Sequence, residues 1–82
     1  MQPENPEYLV ARAALYRLAK GFEDGLLLLD KAISIRSAYP DAYFEKGMIL
    51  LEQGEEKEAA GAILKARRLG LGLAQTKILD EL

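Results

Sequence analysis

The sequence predicts an all-α protein: two antiparallel helix pairs stacked side by side, followed by a short fifth helix. Three observations lead to this fold class. Apolar residues recur at intervals of three and four along most of the chain, as on one face of a helix, and do not alternate as in a strand. Glycine and proline divide the chain into segments of helical length. Residues of similar type stand 34 positions apart in the first and second halves of the chain. We call this interval the repeat spacing.

The first two helices have clear start and stop signals. We expect the first to begin at Asn5-Pro6-Glu7, where asparagine caps, proline fits the first turn and glutamate complements the positive end of the helix dipole. It should end near Lys20-Gly21, with glycine as the C-terminal cap. The second helix follows from Phe22 and should end near Ser37, because the residue before a proline avoids the helical region.

The third helix is predicted from Pro40 to Glu52 and is stopped by Gln53-Gly54. The fourth begins with the acidic residues at 55, 56 and 58 and ends with the basic residues at 65, 67 and 68. This order of charges complements the helix dipole. Glycines at 70 and 72 end that helix, and Leu73–Leu82 is predicted as a fifth, amphipathic helix.

Composition excludes several classes of function. The chain has no cysteine and no histidine, so it lacks the usual zinc ligands, the commonest general base and any Ser/His or Cys/His nucleophile pair. The net charge of −2, with signs mixed, speaks against non-specific nucleic-acid binding. Apolar runs are far too short for a membrane span, and the N-terminal residues are acidic where a signal peptide is basic. We therefore expect a cytoplasmic protein that is not an enzyme and has no cofactor and no metal.

Small and apolar residues recur at the repeat spacing in both halves. Gly25, Leu29 and Ala32 of the second helix correspond to Ala59, Ile63 and Ala66 of the fourth, and Ala13 and Tyr16 of the first correspond to Gly47 and Leu50 of the third. Small residues let two helix axes approach to about 8–10 Å. We expect the third and fourth helices to approach closely where Gly47 faces Ala59.

A helix–turn–helix unit with this period resembles the tetratricopeptide repeat, whose pattern is W-x2-L-G-x2-Y, then A-x3-F, then P. In the second unit, Tyr43, Gly47, Leu50, Ala59 and Ile63 stand at signature positions, whereas Lys46 stands where the pattern has leucine. The junction at residues 39–43, Tyr-Pro-Asp-Ala-Tyr, is typical of the family. In the first unit, Leu9 and Arg12 occupy the two leading positions, and we expect the turn at residues 20–24 to be one residue short.

The resemblance implies a single domain at 1–82, organised as a right-handed superhelical array. It contains a degenerate repeat at 6–38, a second repeat at 40–71 and a C-terminal capping helix at 73–82. We assign these residues to the core: Leu15, Tyr16, Leu29, Ile33, Tyr43, Leu50, Ile63, Leu64 and Leu69.

In this family the first helix of each pair lines a concave groove that usually binds a peptide or a helix of a partner. The resemblance places the groove on the first and third helices, at Val10, Ala14, Arg17, Leu18, Phe44, Met48, Leu51 and Glu52. Some family members grip the carboxylate of an acidic chaperone tail with lysine and asparagine side chains. The corresponding positions here are apolar, so we do not expect that use.

Two interpretations of the stripe formed by Phe44, Met48 and Leu51 stay open. It could lie inside the fold between the first and third helices, as is usual for apolar residues at helical spacing. It could instead be exposed and take an amphipathic helix or a second copy of the chain, because repeat stacks normally need about three units. We predict a protein–protein interaction module with an adaptor or scaffold role. The alternative is a protein that forms a homodimer through the same groove.

Overall fold

The computed structural model describes residues 5–70, which form four α-helices and no strand. The helices are α1 (Pro6–Leu18), α2 (Phe22–Ile35), α3 (Pro40–Glu52) and α4 (Glu56–Arg68). The all-α prediction is confirmed, and each of the first four predicted helices is found close to its expected bounds. The predicted fifth helix, Leu73–Leu82, lies outside the described residues.

The helix starts follow the local sequence. Asn5 caps α1, because its Oδ1 accepts a hydrogen bond of 2.8 Å from the backbone N–H of Glu7, and Pro6 occupies the first helical position. Pro40 occupies the equivalent position in α3. Tyr39, which precedes it, does not cap with its side chain but packs into the core.

The two turns within the helix pairs are of equal length, which corrects the expectation that the first is one residue short. Three residues separate α1 from α2, and three separate α3 from α4. Both turns close as Schellman motifs. In the first, the N–H of Gly21 donates to the carbonyl of Tyr16 at 2.7 Å; in the second, the N–H of Glu55 donates to the carbonyl of Leu50 at 2.9 Å.

The first turn differs from the second in which residue takes the left-handed conformation. Gly54 has a φ of 84° in the second turn, but Lys20 has a φ of 67° at the corresponding position of the first. The prediction that Gly21 is the C-terminal cap of α1 is therefore wrong, because Ala19 is the cap residue and Lys20 takes the left-handed position. Gly21 serves a different purpose, because a Cβ there would lie 3.0 Å from Cδ1 of Tyr16.

The four helices associate as two pairs. The most extensive contacts are those of α1 with α2 and of α3 with α4. The pairs meet mainly where α2 packs on α3, and α1 touches α3 over a smaller area. Equivalent helices of the two pairs start at residues 6 and 40 and at residues 22 and 56, which matches the repeat spacing of the sequence. The sequence period is therefore also a structural period.

Small residues set the closest approaches between helices. A Cβ on Gly47 would lie 2.6 Å from Cγ1 of Ile63 and 3.2 Å from the carbonyl oxygen of Ala59, so α3 and α4 approach as expected. Gly25 of α2 performs the same role toward α3, because a Cβ there would lie 2.9 Å from Cδ1 of Ile49. The glycines therefore allow packing both within a pair and between pairs.

The hydrophobic core lies mainly between α1, α2 and α3. Its buried residues are Leu9, Val10, Ala13, Leu29, Ala32, Tyr39, Ala42 and Ile49. The predicted burial of Leu29 and Leu50 is confirmed, but the assignment of Leu15 and Leu64 to the core is wrong, since both are exposed. Each lies on the outward face of a terminal helix of the described stack, where no further described helix covers it.

Candidate protein-binding groove

Charged side chains connect α1 to α3 beside the core. The guanidinium of Arg17 donates through Nε to Glu45 Oε1 at 3.0 Å and through Nη1 to Glu52 Oε2 at 3.1 Å. Nζ of Lys20 donates to the other oxygen of Glu52 at 3.2 Å. Two cations and two carboxylates thus form one network with no net charge, which bridges the two helices.

Hydrogen bonding in this network shifts two pKa values. The hydrogen bond to Glu45 is the largest cause that raises the pKa of Arg17 above its usual value, so this guanidinium stays charged. The hydrogen bonds donated by Arg17 and then by Lys20 lower the pKa of Glu52 below its usual value. Both groups are therefore held in the charged forms that the network needs.

The predicted apolar stripe lies on the face of α3 next to this network. Phe44 and Met48 are half-buried, and Leu51 is 48% exposed. None of the three belongs to the hydrophobic core or to the partly buried residues packed against it. This arrangement favours the surface interpretation of the stripe over the interior one.

The predicted residues of α1 have three different environments. Val10 is buried in the core, so it does not line an open surface. Ala14 is half-buried and Leu18 is exposed, so both can contribute to a groove wall. The structure brings Arg17 and Glu52 together directly, as residues of one ion-pair network.

Sequence reasoning misses Glu45, the closest partner of Arg17. A signal for it is present, because Glu45 and Glu52 are two helical turns apart in the sequence and therefore share one face of α3. That face also carries Met48, between the two carboxylates in the sequence. A pair of acids at this spacing, opposite an arginine near the end of α1, indicates a bridge between the two helices.

A second open surface lies on another side of α3. A depression of about 610 Å³ is bounded by residues of α2, α3 and α4: Leu26, Asp30, Tyr43, Lys46, Leu50, Glu58, Gly61, Ala62 and Lys65. Lys46 Nζ and Asp30 Oδ1 pair across it at 3.2 Å, and Nζ of Lys65 lies 5.7 Å from the centre of the Tyr43 ring. Four charged side chains line it, so it is less suited to an apolar ligand than the Phe44 stripe.

Comparison of the chain with protein-family models, with curated proteins and with solved structures finds no match. Within residues 5–70, no helix is long and apolar enough to cross a membrane. The same residues contain no cluster of three or more carboxylates arranged to hold a metal ion. The class of protein that the described fold defines is an all-α protein of two helix pairs.

Proposed function

We propose that this protein is a non-catalytic protein–protein interaction module of the tetratricopeptide-repeat type, with an adaptor or scaffold role. Its groove, formed by the open sides of α1 and α3, takes an amphipathic helix of a partner protein. The observation that carries the proposal is the apolar stripe of Phe44, Met48 and Leu51, which lies on a helix face outside the core.

The helix arrangement supports the choice of family. Both pairs have three-residue turns, both first helices begin with proline, and equivalent helices start one repeat spacing apart. Within the second pair, Gly47 lies against Ala59 and Ile63, the residues that the repeat pattern pairs with it. The superhelical hand and the capping helix at 73–82 remain part of the proposal.

The chemistry of the groove favours an amphipathic helix as the occupant. Apolar side chains of a partner would cover Phe44, Met48 and Leu51, and methionine adapts its shape to different partners. The adjacent network, in which Arg17 and Lys20 are paired with two glutamates, is internally neutral, so it offers no excess cation to a terminal carboxylate. Polar residues of the partner helix would face this network.

The test is a selection of helical peptides from a displayed amphipathic library, followed by binding measurements on two matched variants. Leu51→Asp places a charge on the proposed groove. Leu64→Asp places the same charge on the outer face of α4, at a leucine of nearly identical exposure, 49% against 48%. We expect Leu51→Asp to weaken binding of the selected peptides at least about tenfold, and Leu64→Asp to leave it within about twofold.

Three outcomes would contradict this function. The first is a selection that yields no peptide able to bind the folded chain. The second is a set of bound peptides that is insensitive to Leu51→Asp, and the third is an equal response to Leu64→Asp. Sedimentation of the same variants tests the alternative of a homodimer through this groove. In that case the unmodified chain is dimeric and Leu51→Asp alone makes it monomeric.

A further inference from the structure

The outward face of α1 carries an apolar stripe that shares only Leu18 with the candidate groove. Tyr8, Ala11, Leu15 and Leu18 follow one another at intervals of three, four and three residues, and all four are exposed. This is the spacing of the contact positions of a two-stranded coiled coil. At about 100° per residue the four residues lie opposite Ala13, which is fully buried. We name these four residues the α1 seam.

Two residues on the corresponding face of α3 are buried by neighbouring helices. Ala42 and Ile49 of α3 are the counterparts of Tyr8 and Leu15, one repeat spacing later in the chain. Both are fully buried, and Ile49 packs against Gly25 of α2. The other two counterparts, Glu45 and Glu52, pair with Arg17 of α1. The part of this face at Ala42 and Ile49 is covered in the second pair, whereas its equivalent at Tyr8 and Leu15 is open in the first. The α1 seam is therefore a helix-binding face without a helix among the described residues.

The residues of α4 are poorly suited to cover the α1 seam of another copy. Leu26 and Ile33 of α2 pack against the core, and Leu26 lies beside Tyr43 and Leu50 of α3. Their counterparts in α4 are Ala60 and Arg67, a small residue and a charged one. An end-to-end stack of copies, with α4 covering α1, would replace two large apolar contacts by these residues, so it is disfavoured.

We propose that the α1 seam binds the α1 seam of a second copy of this chain, with the two helices parallel and in register. The charges beside the seam favour this orientation. Glu7 and Arg12 occupy the two positions that flank a coiled-coil seam, five residues apart, which is the spacing at which a parallel partner places opposite charges together. In an antiparallel pair, Arg12 would face Arg12 of the other copy.

The contacts that Glu7 and Arg12 make within one chain leave both side chains able to pair with a second copy. The guanidinium of Arg12 lies over the rings of Tyr8 and Tyr16, at 5.7 and 6.0 Å from their centres, on the edge of the seam. Glu7 is paired with Arg36 only at 3.8 Å, between two exposed side chains. Neither Arg12 nor Glu7 is buried, so each can reach a partner across the seam.

The α1 seam is short, which limits the area that the dimer can bury. α1 has 13 residues and is about 20 Å long, so a single pair of α1 helices buries less than the roughly 1,600 Å² of a standard interface. The dimer should therefore be weak and concentration-dependent. Measurements must extend to about 1 mM chain, where dissociation constants in the micromolar range and above are resolved.

The first experiment is sedimentation equilibrium of the full chain and of two charge variants, with helicity checked by circular dichroism. Leu15→Glu alters the seam, and Leu27→Glu is the matched control on α2, since these leucines are 66% and 68% exposed. We expect the unmodified chain to dimerise, Leu15→Glu to weaken dimerisation at least about tenfold, and Leu27→Glu to change it less than about twofold.

A chain that stays monomeric to about 1 mM overturns the proposal. So does a dimer that Leu27→Glu disrupts as strongly as Leu15→Glu. A dimer that is insensitive to Leu15→Glu but dissociated by Leu51→Asp also overturns it, and assigns self-association to the groove instead. The proposed peptide-binding function can fail without affecting these outcomes, because its decisive residue is Leu51 and not Leu15.

The second experiment tests orientation by disulfide formation. Because the chain has no cysteine, a single substitution introduces the only thiol. In the parallel dimer the two copies of residue 15 face each other, so Leu15→Cys should form a disulfide on mild oxidation, and Leu27→Cys should not. In an antiparallel dimer residue 11 faces residue 15. Preferential cross-linking between Ala11→Cys and Leu15→Cys chains would therefore overturn the parallel arrangement.

Discussion

The two helix pairs are built to the same plan but present opposite surfaces at equivalent positions. Leu15 in α1 and Ile49 in α3 are separated by one repeat spacing, yet Leu15 is 66% exposed and Ile49 is fully buried. The helices around them begin at equivalent residues and are joined by turns of equal length. The difference is therefore one of neighbours: α2 lies against α3, whereas no described helix lies against the outer side of α1. Position in the stack, more than side-chain type, decides which apolar residues are core.

The largest expected effect is the difference in stability loss between matched alanine substitutions at Ile49 and Leu15. Ile49→Ala should lower the free energy of unfolding by about 2–5 kcal/mol, because it leaves a cavity between α2 and α3. Leu15→Ala should change it by no more than about 0.5 kcal/mol, since its side chain is largely in water. Urea denaturation at low micromolar chain concentration measures both without a contribution from self-association. Equal losses for the two variants would show that the pairs do not differ in this way.

A smaller effect is expected at the two turns. Lys20 and Gly54 both have positive φ, at equivalent positions after α1 and α3. The left-handed conformation costs a residue with a Cβ about 1–2 kcal/mol, a cost that glycine avoids. Glycine's greater conformational freedom in the unfolded chain offsets part of this advantage. Lys20→Gly should therefore raise the free energy of unfolding by up to about 0.5–1 kcal/mol, reduced by the small loss of the exposed Lys20–Glu52 ion pair, and Gly54→Lys should lower it by about 0.5–1 kcal/mol. Denaturation midpoints that move in the same direction for both variants would contradict this account.

The smallest effect concerns the network between the pairs. The pKa of Glu52 is lowered by hydrogen bonds from Arg17 and Lys20. Because its folded-state pKa lies below its unfolded value, its contribution to stability is complete above the unfolded pKa. That contribution is lost as the pH falls through the folded pKa. Carbon-13 NMR titration should find the pKa of Glu52 nearer its ordinary value in Arg17→Met, and acid should destabilise this variant less than the parent. An unchanged Glu52 titration would mean that the network does not form in solution.

Much of the fold could be predicted because its signals are local. Proline at the first turn, asparagine at the cap and charges ordered along α4 act within a few residues, and the four helices appear where these signals place them. Gly47 could be predicted as a contact point because a missing side chain has the same consequence in any closely packed helix pair. The burial of Tyr39 could not be predicted, because this residue precedes α3 in the connecting segment, where apolar periodicity carries no information.

The candidate groove was predictable in part. The stripe of Phe44, Met48 and Leu51 is evident from helical spacing, but whether it lies inside or outside depends on how close α1 approaches α3. Val10 and Arg17 show the limit of this reasoning, since the family resemblance assigns both to the groove. Val10 enters the core, and Arg17 forms the bridge to the two glutamates of α3. The spacing of Glu45 and Glu52 shows that they share one face of α3, but which helix lies opposite that face follows from no local pattern.

By itself, the sequence determined the four described helices, the repeat spacing and the exclusion of histidine and cysteine chemistry, because these depend on residue type and spacing along one chain. Only the tertiary structure decided that Ile49 is core while Leu15 is surface, that Lys20 takes the strained turn position, and that Arg17 joins the two pairs. The physical reason is that burial and ion pairing are relations between helices. A helix face has no inside or outside until a neighbouring helix covers it.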